Sequence, residues 1–147
     1  MASTKKTRQR GSALVELSLC LLTFFLLTLG GMDYAWAVNA YNFCASAAQD
    51  AVRKASVHGN SPNTSAWSVE DVRSYVLSEM VGLSPSQLTV TTCWSGNCPT
   101  SGFPPSGYNT PGATVTVTVA YVIQPLSGMA IKQNLTVSST GQYVISQ

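Results

Sequence analysis

Charged residues are scarce in this chain. Asp, Glu, Lys and Arg make up 10% of its 147 residues, whereas about 25% is usual for a soluble globular domain. Four of the eight cations precede every acid: Lys5, Lys6, Arg8 and Arg10. The other four cations and the six acids leave 4 − 6 = −2 for the rest of the chain. The net positive charge therefore belongs to a short N-terminal leader and indicates no nucleic-acid partner.

Catalytic motifs are also lacking. His58 is the only histidine, so the chain has no histidine cluster and no Ser/His/Asp set, and no glycine-rich phosphate loop precedes a helix. The acids Glu70, Asp71 and Glu79 lie on a predicted helix surface, where solvated carboxylates are usual. We expect the chain not to be an enzyme and to hold no cofactor or metal. The alternative, a membrane-tethered enzyme, would depend on His58.

Residues 17–32 carry no charge, and the apolar run extends back to Ser12 if Glu16 is tolerated. A membrane-spanning helix needs about 20 largely apolar residues. The cationic leader on one flank and Asp33 on the other favour a cytoplasmic N-terminus, and Tyr34, Trp36 and Tyr41 suit an interfacial aromatic belt. We predict a single span over about residues 12–36, in the inner (cytoplasmic) membrane.

A cleaved signal peptide is the alternative interpretation of this run. An Ala-x-Ala-like site occurs at Ala35-Trp36-Ala37. However, the run exceeds the roughly 7–15 residues of a signal core, and the helical pattern continues past Ala37. These observations favour a retained helix.

The helical pattern continues without proline to residue 57. Its second half places small side chains at spacings of three and four, on one face that would let neighbouring helices approach closely. Those residues are Ala40, Phe43, Cys44, Ala47, Ala48, Ala51 and Ala55. A second helix is predicted to begin after an N-cap at Ser68, with Asp71 completing a capping box, and to end at Gly82 and Pro85.

The hydrophobic period changes to two after Gln87. Residues 88–93 alternate, and residues 113–122 alternate valine with threonine, as a half-buried antiparallel strand does. Residues 135–138 and 142–145 predict one or two more strands, and residues 98–111 a long loop. The sequence thus predicts an α+β fold. A basic cytoplasmic leader (1–11) precedes a long transmembrane helix (12–57). That helix continues into a small extracytoplasmic head (58–147) with one further helix and a 3–4 stranded antiparallel sheet.

The four cysteines have different expected roles. Cys20 in the apolar run and Cys44 on the alanine face are expected to be buried as small hydrophobes. Cys93 and Cys98 flank a turn-rich tetrapeptide that begins with Trp94, and in an oxidising compartment a disulfide across it is favoured. A metal site is the alternative, but the two thiolates lack partner ligands. We also consider this pinned loop around Trp94 as an adhesive surface.

Gly11, Ser12 and Glu16 have two interpretations. In the first, Gly11 ends the leader, Ser12 caps the helix and Glu16 lies near its positive end. In the second, the chain is cut after Gly11, so that Ser12 gains a free amine and Glu16 lies at i+4 on the same face. Glu16 of one subunit could then meet the Ser12 amine of its neighbour, which would fix the register between them.

The segment from Arg10 to Leu17 resembles the processing site of type IV pilin-like precursors. Its continuation resembles TadE-like proteins, the minor pseudopilins of the tight-adherence (Flp) pilus system. The residues that carry this resemblance are 30–37, Asn39, Tyr41 and the alanine-rich stretch 44–55. The resemblance covers roughly the first 56 residues. It implies cleavage after Gly11 by a prepilin peptidase, with Glu16 as the recognition and assembly carboxylate. It also implies an inner-membrane pilus assembly platform as partner.

We therefore expect a minor pilin or pseudopilin that acts in assembly or decoration of an adhesive Tad/Flp-type pilus. Its expected partners are the prepilin peptidase, other pilin or pseudopilin subunits, the assembly platform and membrane lipid. After processing it could leave the inner membrane for the extracellular pilus. The alternative is an unprocessed, single-pass membrane-anchored binding protein of the cell envelope.

Overall fold

A single long helix forms the N-terminal third of the chain. The computed structural model describes residues 5–59, 66–80, 82–124 and 134–146, with the backbone alone for residues 5–10. Helix α1 spans Lys5–Val57. It begins before Ser12, where the sequence predicted its start, because the lysines, arginines and glutamine of the leader are good helix formers. The chain divides into two compact units, one holding the helix as far as Trp36 and the other beginning at Ala37.

In the first unit, the side chains from Gly11 to Met32 are all exposed. The most apolar stretch of 18 residues has a mean hydropathy of 2.1, and none of it is buried. The hydroxyls of Ser18, Thr23 and Thr28 donate to the carbonyls of Val15, Leu19 and Phe24, over 2.8–2.9 Å. These bonds satisfy polar groups that would otherwise face an apolar solvent. By length and composition, this is the one described helix fit to cross a membrane, which suggests a single-pass anchor.

In the second unit, the alanine face of α1 is buried inside the head. It comprises Ala40, Cys44, Ala47, Ala48, Ala51 and Ala55. The prediction that this face serves packing between helices was therefore wrong. Small side chains instead let the helix backbone approach the sheet, and the Gly141 strand position lies directly against Ala48 and Val52.

Helix α2 spans Val69–Ser78 and buries Val69, Val72 and Val76. The predicted capping box at its start is confirmed: the Asp71 N–H donates to the Ser68 hydroxyl, and the Ser68 N–H donates to the Asp71 carboxylate. Gly82 has φ +78°, a conformation that other residues rarely adopt, so the helix cannot continue through it. A short 3-10 helix over Pro85–Gln87 leads into the sheet.

The sheet has three antiparallel strands in the order β1-β2-β3. They span Leu88–Trp94, Thr114–Ile123 and Leu135–Val144. The central strand β2 alternates as predicted and points Val115, Val117, Val119, Tyr121 and Ile123 into the core. The two C-terminal segments predicted as one or two strands form β3, a single strand. The described residues thus confirm an α+β fold with a long N-terminal helix, one further α-helix and a small antiparallel sheet.

The long connection between β1 and β2 is held at two points. Ser95 and Gly96 both have positive φ, 46° and 83°, which makes a tight turn closed by paired backbone bonds between Trp94 and Asn97. Farther on, the Gly102 carbonyl accepts the Val69 N–H at 2.9 Å. The loop is therefore fixed both to the end of β1 and to the start of α2.

Candidate processing and assembly site

The three residues of the predicted processing site lie on α1. Gly11, Ser12 and Glu16 are all exposed on the helix surface. Residues 12 and 16 are one helical turn apart, about 6 Å along the axis and on the same face. The helix runs through the bond after Gly11, so the structure places these residues on one continuous helix rather than at its capped beginning. Ser12 is therefore not an N-cap in this structure, and the helix-start interpretation of the segment is not supported.

Gly11 has no structural requirement for being glycine. A Cβ atom built on it meets nothing within 4 Å, and Gly11 is not among the glycines with positive φ. A glycine inside a helix is about 1 kcal/mol less favourable than alanine. The described fold thus does not explain why position 11 is a glycine. Recognition by another molecule is an explanation that the fold leaves open.

Glu16 lies in an apolar surface. Its neighbours Leu14, Val15 and Leu17 are 67%, 65% and 56% exposed. In the part of the chain that the structure describes, the Glu16 carboxylate has no hydrogen-bond or ion-pair partner. A charge at the centre of a bilayer costs about 2.5–3.5 kcal/mol on insertion scales, and such residues generally pair with another group. If α1 crosses a membrane, an exposed Glu16 would therefore need a partner from another molecule.

Two of the four cysteines form a disulfide, and the other two are free. Cys93 and Cys98, predicted to pair, are joined by a disulfide that closes the turn after β1. Cys44 is buried as expected, but Cys20 is exposed on the helix surface, because no other described segment of the chain packs on that part of α1. Trp94, proposed for an adhesive loop, is only 1% exposed and belongs to the core. It ends a strand whose alternate residues point inward, so it cannot form a contact surface.

Two acids at the start of α2 have structural roles, Asp71 in the predicted capping box and Glu70 in a bond that the sequence analysis did not predict. The Glu70 carboxylate accepts the Gly102 N–H, at 3.1 and 3.0 Å to its two oxygens, and so fixes the long loop. Hydrogen bonds from the Ser68 N–H and hydroxyl lower the pKa of Asp71 below its ordinary value. The helix-start position of both acids was the available signal, since carboxylates there face unpaired N–H groups.

His58 lies beside α1 at its C-terminal end. Its Nδ1 is 2.9 Å from the Lys54 carbonyl oxygen, and its ring stacks on Trp67 with centroids 4.8 Å apart. Among the described residues, no group of three or more His, Cys, Asp or Glu side chains is placed to hold a metal ion.

A family model matches the part of α1 that contains the predicted processing residues. Residues 11–53 match the family model for TadE-like protein. The match begins at Gly11 and covers less than half of the chain, leaving the sheet and α2 outside it. No curated protein and no solved structure gives a significant match. Over residues 11–53 the chain is similar to TadE-like proteins, and this similarity suggests an association with the Tad/Flp pilus system.

Proposed function

We propose that this chain is a minor pilin-like subunit, a pseudopilin, of a Tad/Flp-type pilus. It is made as a precursor anchored by α1, with a cytoplasmic N-terminus and residues 58–147 on the outer side of the inner membrane. The observation that carries the proposal is the exposed, unpartnered Glu16 on an apolar helix, one turn from Ser12 and five residues from a glycine that the fold does not require.

Cleavage after Gly11 would change the chain in two ways. It would remove Lys5, Lys6, Arg8 and Arg10, four charges that hold the N-terminus on the cytoplasmic side. It would also create an ammonium group at Ser12, where none existed. A prepilin peptidase is the partner that this step needs, and membrane lipid surrounds the helix before extraction.

Assembly would then bring that ammonium to the Glu16 carboxylate of a neighbouring subunit. Each charge alone is costly in the bilayer, whereas the pair neutralises both. Removing one member of a buried pair typically costs about 3–5 kcal/mol, because the other charge is left without a partner. The pair would thus select the correct axial register among pilin or pseudopilin subunits, delivered by an inner-membrane assembly platform.

The head would act by contact rather than by catalysis. The described residues present a small sheet, a disulfide-closed turn and a docked loop. We propose a role in assembly or decoration of an adhesive pilus. An unprocessed anchored binding protein is the competing function, but it would need neither the glycine at position 11 nor the acid at position 16.

Substitution of Glu16 tests the proposal in cells. Glu16→Ala should insert into the membrane and accumulate at wild-type level, while piliation falls at least tenfold. Glu16→Asp, which keeps the charge on a shorter side chain, should retain part of it. The control Glu79→Ala removes an exposed head carboxylate and should leave piliation unchanged. Normal piliation with Glu16→Ala would contradict the proposed pairing.

A further inference from the structure

A groove of about 360 Å³ lies where the end of α1 meets the start of α2. Its wall is a row of three partly exposed rings. His58 stacks on Trp67 with an interplanar angle of 26°, and Trp67 packs on Tyr75 with centroids 5.8 Å apart. The Trp67 indole N–H has no acceptor among the described residues and is not among the buried unsatisfied groups. The head thus presents three partly exposed rings beside an unused hydrogen-bond donor.

The charges at the groove favour an anion. Arg53 and Lys54 line it on one side, with Asp50 as the one acid. The Lys54 ammonium already lies 4.0 Å from the Tyr75 ring centroid. A cationic ligand would therefore have to displace an ammonium from the Tyr75 ring, and it would meet the Arg53 guanidinium as well. An anion would instead be attracted by both side chains.

His58 adds a polar group to the groove. Because the Lys54 carbonyl can only accept, the hydrogen bond at 2.9 Å requires a proton on Nδ1. In the tautomer that carries only this proton, Nε2 is an acceptor for a hydroxyl group. Ring faces, one indole donor, one imidazole acceptor and two cations are thus present together.

We propose that this groove binds an acidic saccharide, a pyranose carrying a carboxylate. The partly positive C–H face of a sugar ring is attracted to the negative face of an aromatic ring. Its hydroxyls match the Trp67 donor and the His58 acceptor, and its carboxylate matches Arg53 and Lys54. The volume lies at the small end of the range for ligand sites, about 300–1,000 Å³, which suits a short oligosaccharide. An acidic peptide would leave the ring faces largely unused.

The test is a set of calorimetric titrations of the full chain in lipid nanodiscs. The probes are trigalacturonate, the neutral trisaccharide of galactose, and tetraglutamate peptide. Saturable binding of trigalacturonate, at least about tenfold tighter than that of the other two probes, is the expected result. Absence of saturable binding, equal binding of both sugars, or preference for the peptide would overturn the proposal.

Variants then locate the site. Lys54→Gln together with Arg53→Gln should weaken trigalacturonate binding by about tenfold, as loss of charged hydrogen bonds does. Trp67→Leu should weaken it as well, with circular dichroism establishing that the variant is folded. The control Arg73→Gln removes an exposed cation of α2 outside the groove and should not change the affinity. An equal loss with Arg73→Gln would show general charge attraction and overturn the site. These titrations do not depend on processing or pilus assembly.

Discussion

The carbonyl oxygen of Ala48 in α1 lies 2.7 Å from the point where a Cβ atom on Gly141 of β3 would stand. The Val52 Cγ1 atom lies 2.9 Å from the same point. A real Cβ atom would not fit there without a shift, and the obstacle is helix backbone rather than a flexible side chain. Gly141 and the small side chain of Ala48 therefore let the helix rest directly on the edge strand, and this contact ties the TadE-like helix to the head.

Gly141→Ala should destabilise the head. Alanine gains about 0.5–1 kcal/mol over glycine in a strand from backbone entropy, but overpacking against a rigid backbone costs about 1–3 kcal/mol, so the clash dominates. We expect the midpoint of thermal unfolding in detergent to fall by about 5–15 °C. The control Ser138→Ala changes an exposed position of the same strand and should be near neutral. An unchanged midpoint for Gly141→Ala would contradict the close helix–strand contact.

Asp71→Asn should make the stability of the head less dependent on pH at the acidic end. Hydrogen bonds from the Ser68 N–H and hydroxyl lower the pKa of Asp71 from its ordinary value of 3.8. The ionised carboxylate thus stabilises the fold above that ordinary pKa, and this contribution is lost as the pH falls through the lower pKa of the folded state. The wild type should exceed Asp71→Asn in urea stability at pH 7, and this difference should shrink as the pH falls below the ordinary carboxyl pKa of 3.8.

The matched control for this prediction is Glu79→Gln, at the other end of α2. Glu79→Gln should not change how the urea stability depends on pH in the acidic range. Ser68→Ala, which removes the N-cap hydroxyl, should lower stability by about 1 kcal/mol at neutral pH. Parallel pH profiles for the wild type and Asp71→Asn would refute the role of this carboxylate.

Glu70→Ala should release the long loop from α2. The Glu70 carboxylate accepts the Gly102 N–H, and the Gly102 carbonyl separately accepts the Val69 N–H at 2.9 Å. Because Glu70 is exposed, we expect the substitution to lower the free energy that protects the Gly102 amide by about 1 kcal/mol. Hydrogen exchange at this amide should then be about fivefold faster. Glu79→Ala is the comparison variant. Unaltered exchange at the Gly102 amide would contradict this prediction. It would show that the bond from the Val69 N–H to the Gly102 carbonyl is enough to hold the loop.

Gly11→Val should leave the fold intact and prevent processing. A side chain at position 11 points into open space in the described structure, so membrane insertion and head stability should match the wild type. A peptidase that requires glycine before the cut would leave most of the variant as precursor on a gel. Gly31→Val, at an equally open position of the same helix, should be processed normally. Complete processing of Gly11→Val would remove the argument from this glycine.

The sequence predicted the elements whose signals are local. The period-three-and-four pattern before Val57 and the alternation of valine and threonine in β2 predicted the long helix and central strand. The capping box at Ser68 likewise depends on residues three positions apart. Each of these patterns is complete within one segment of chain, which is why it could be interpreted without the tertiary structure.

The features that the sequence missed arise between distant segments. The alanine face of α1 suited a neighbouring helix equally well, and only the proximity of Gly141 shows that the sheet covers it. Trp94 suggested a contact surface because turn residues follow it, but its strand position points it into the core. The ring row of His58, Trp67 and Tyr75 joins three elements and has no linear motif.

The account depends most on the N-terminus of the protein in its own cell. Intact-mass and terminal-peptide mass spectrometry of material from the membrane and from sheared pili measures it directly. We predict a chain that begins with Ser12 and lacks the four leader cations. A chain that retains Met1, or one that begins after Trp36, would contradict the proposed function.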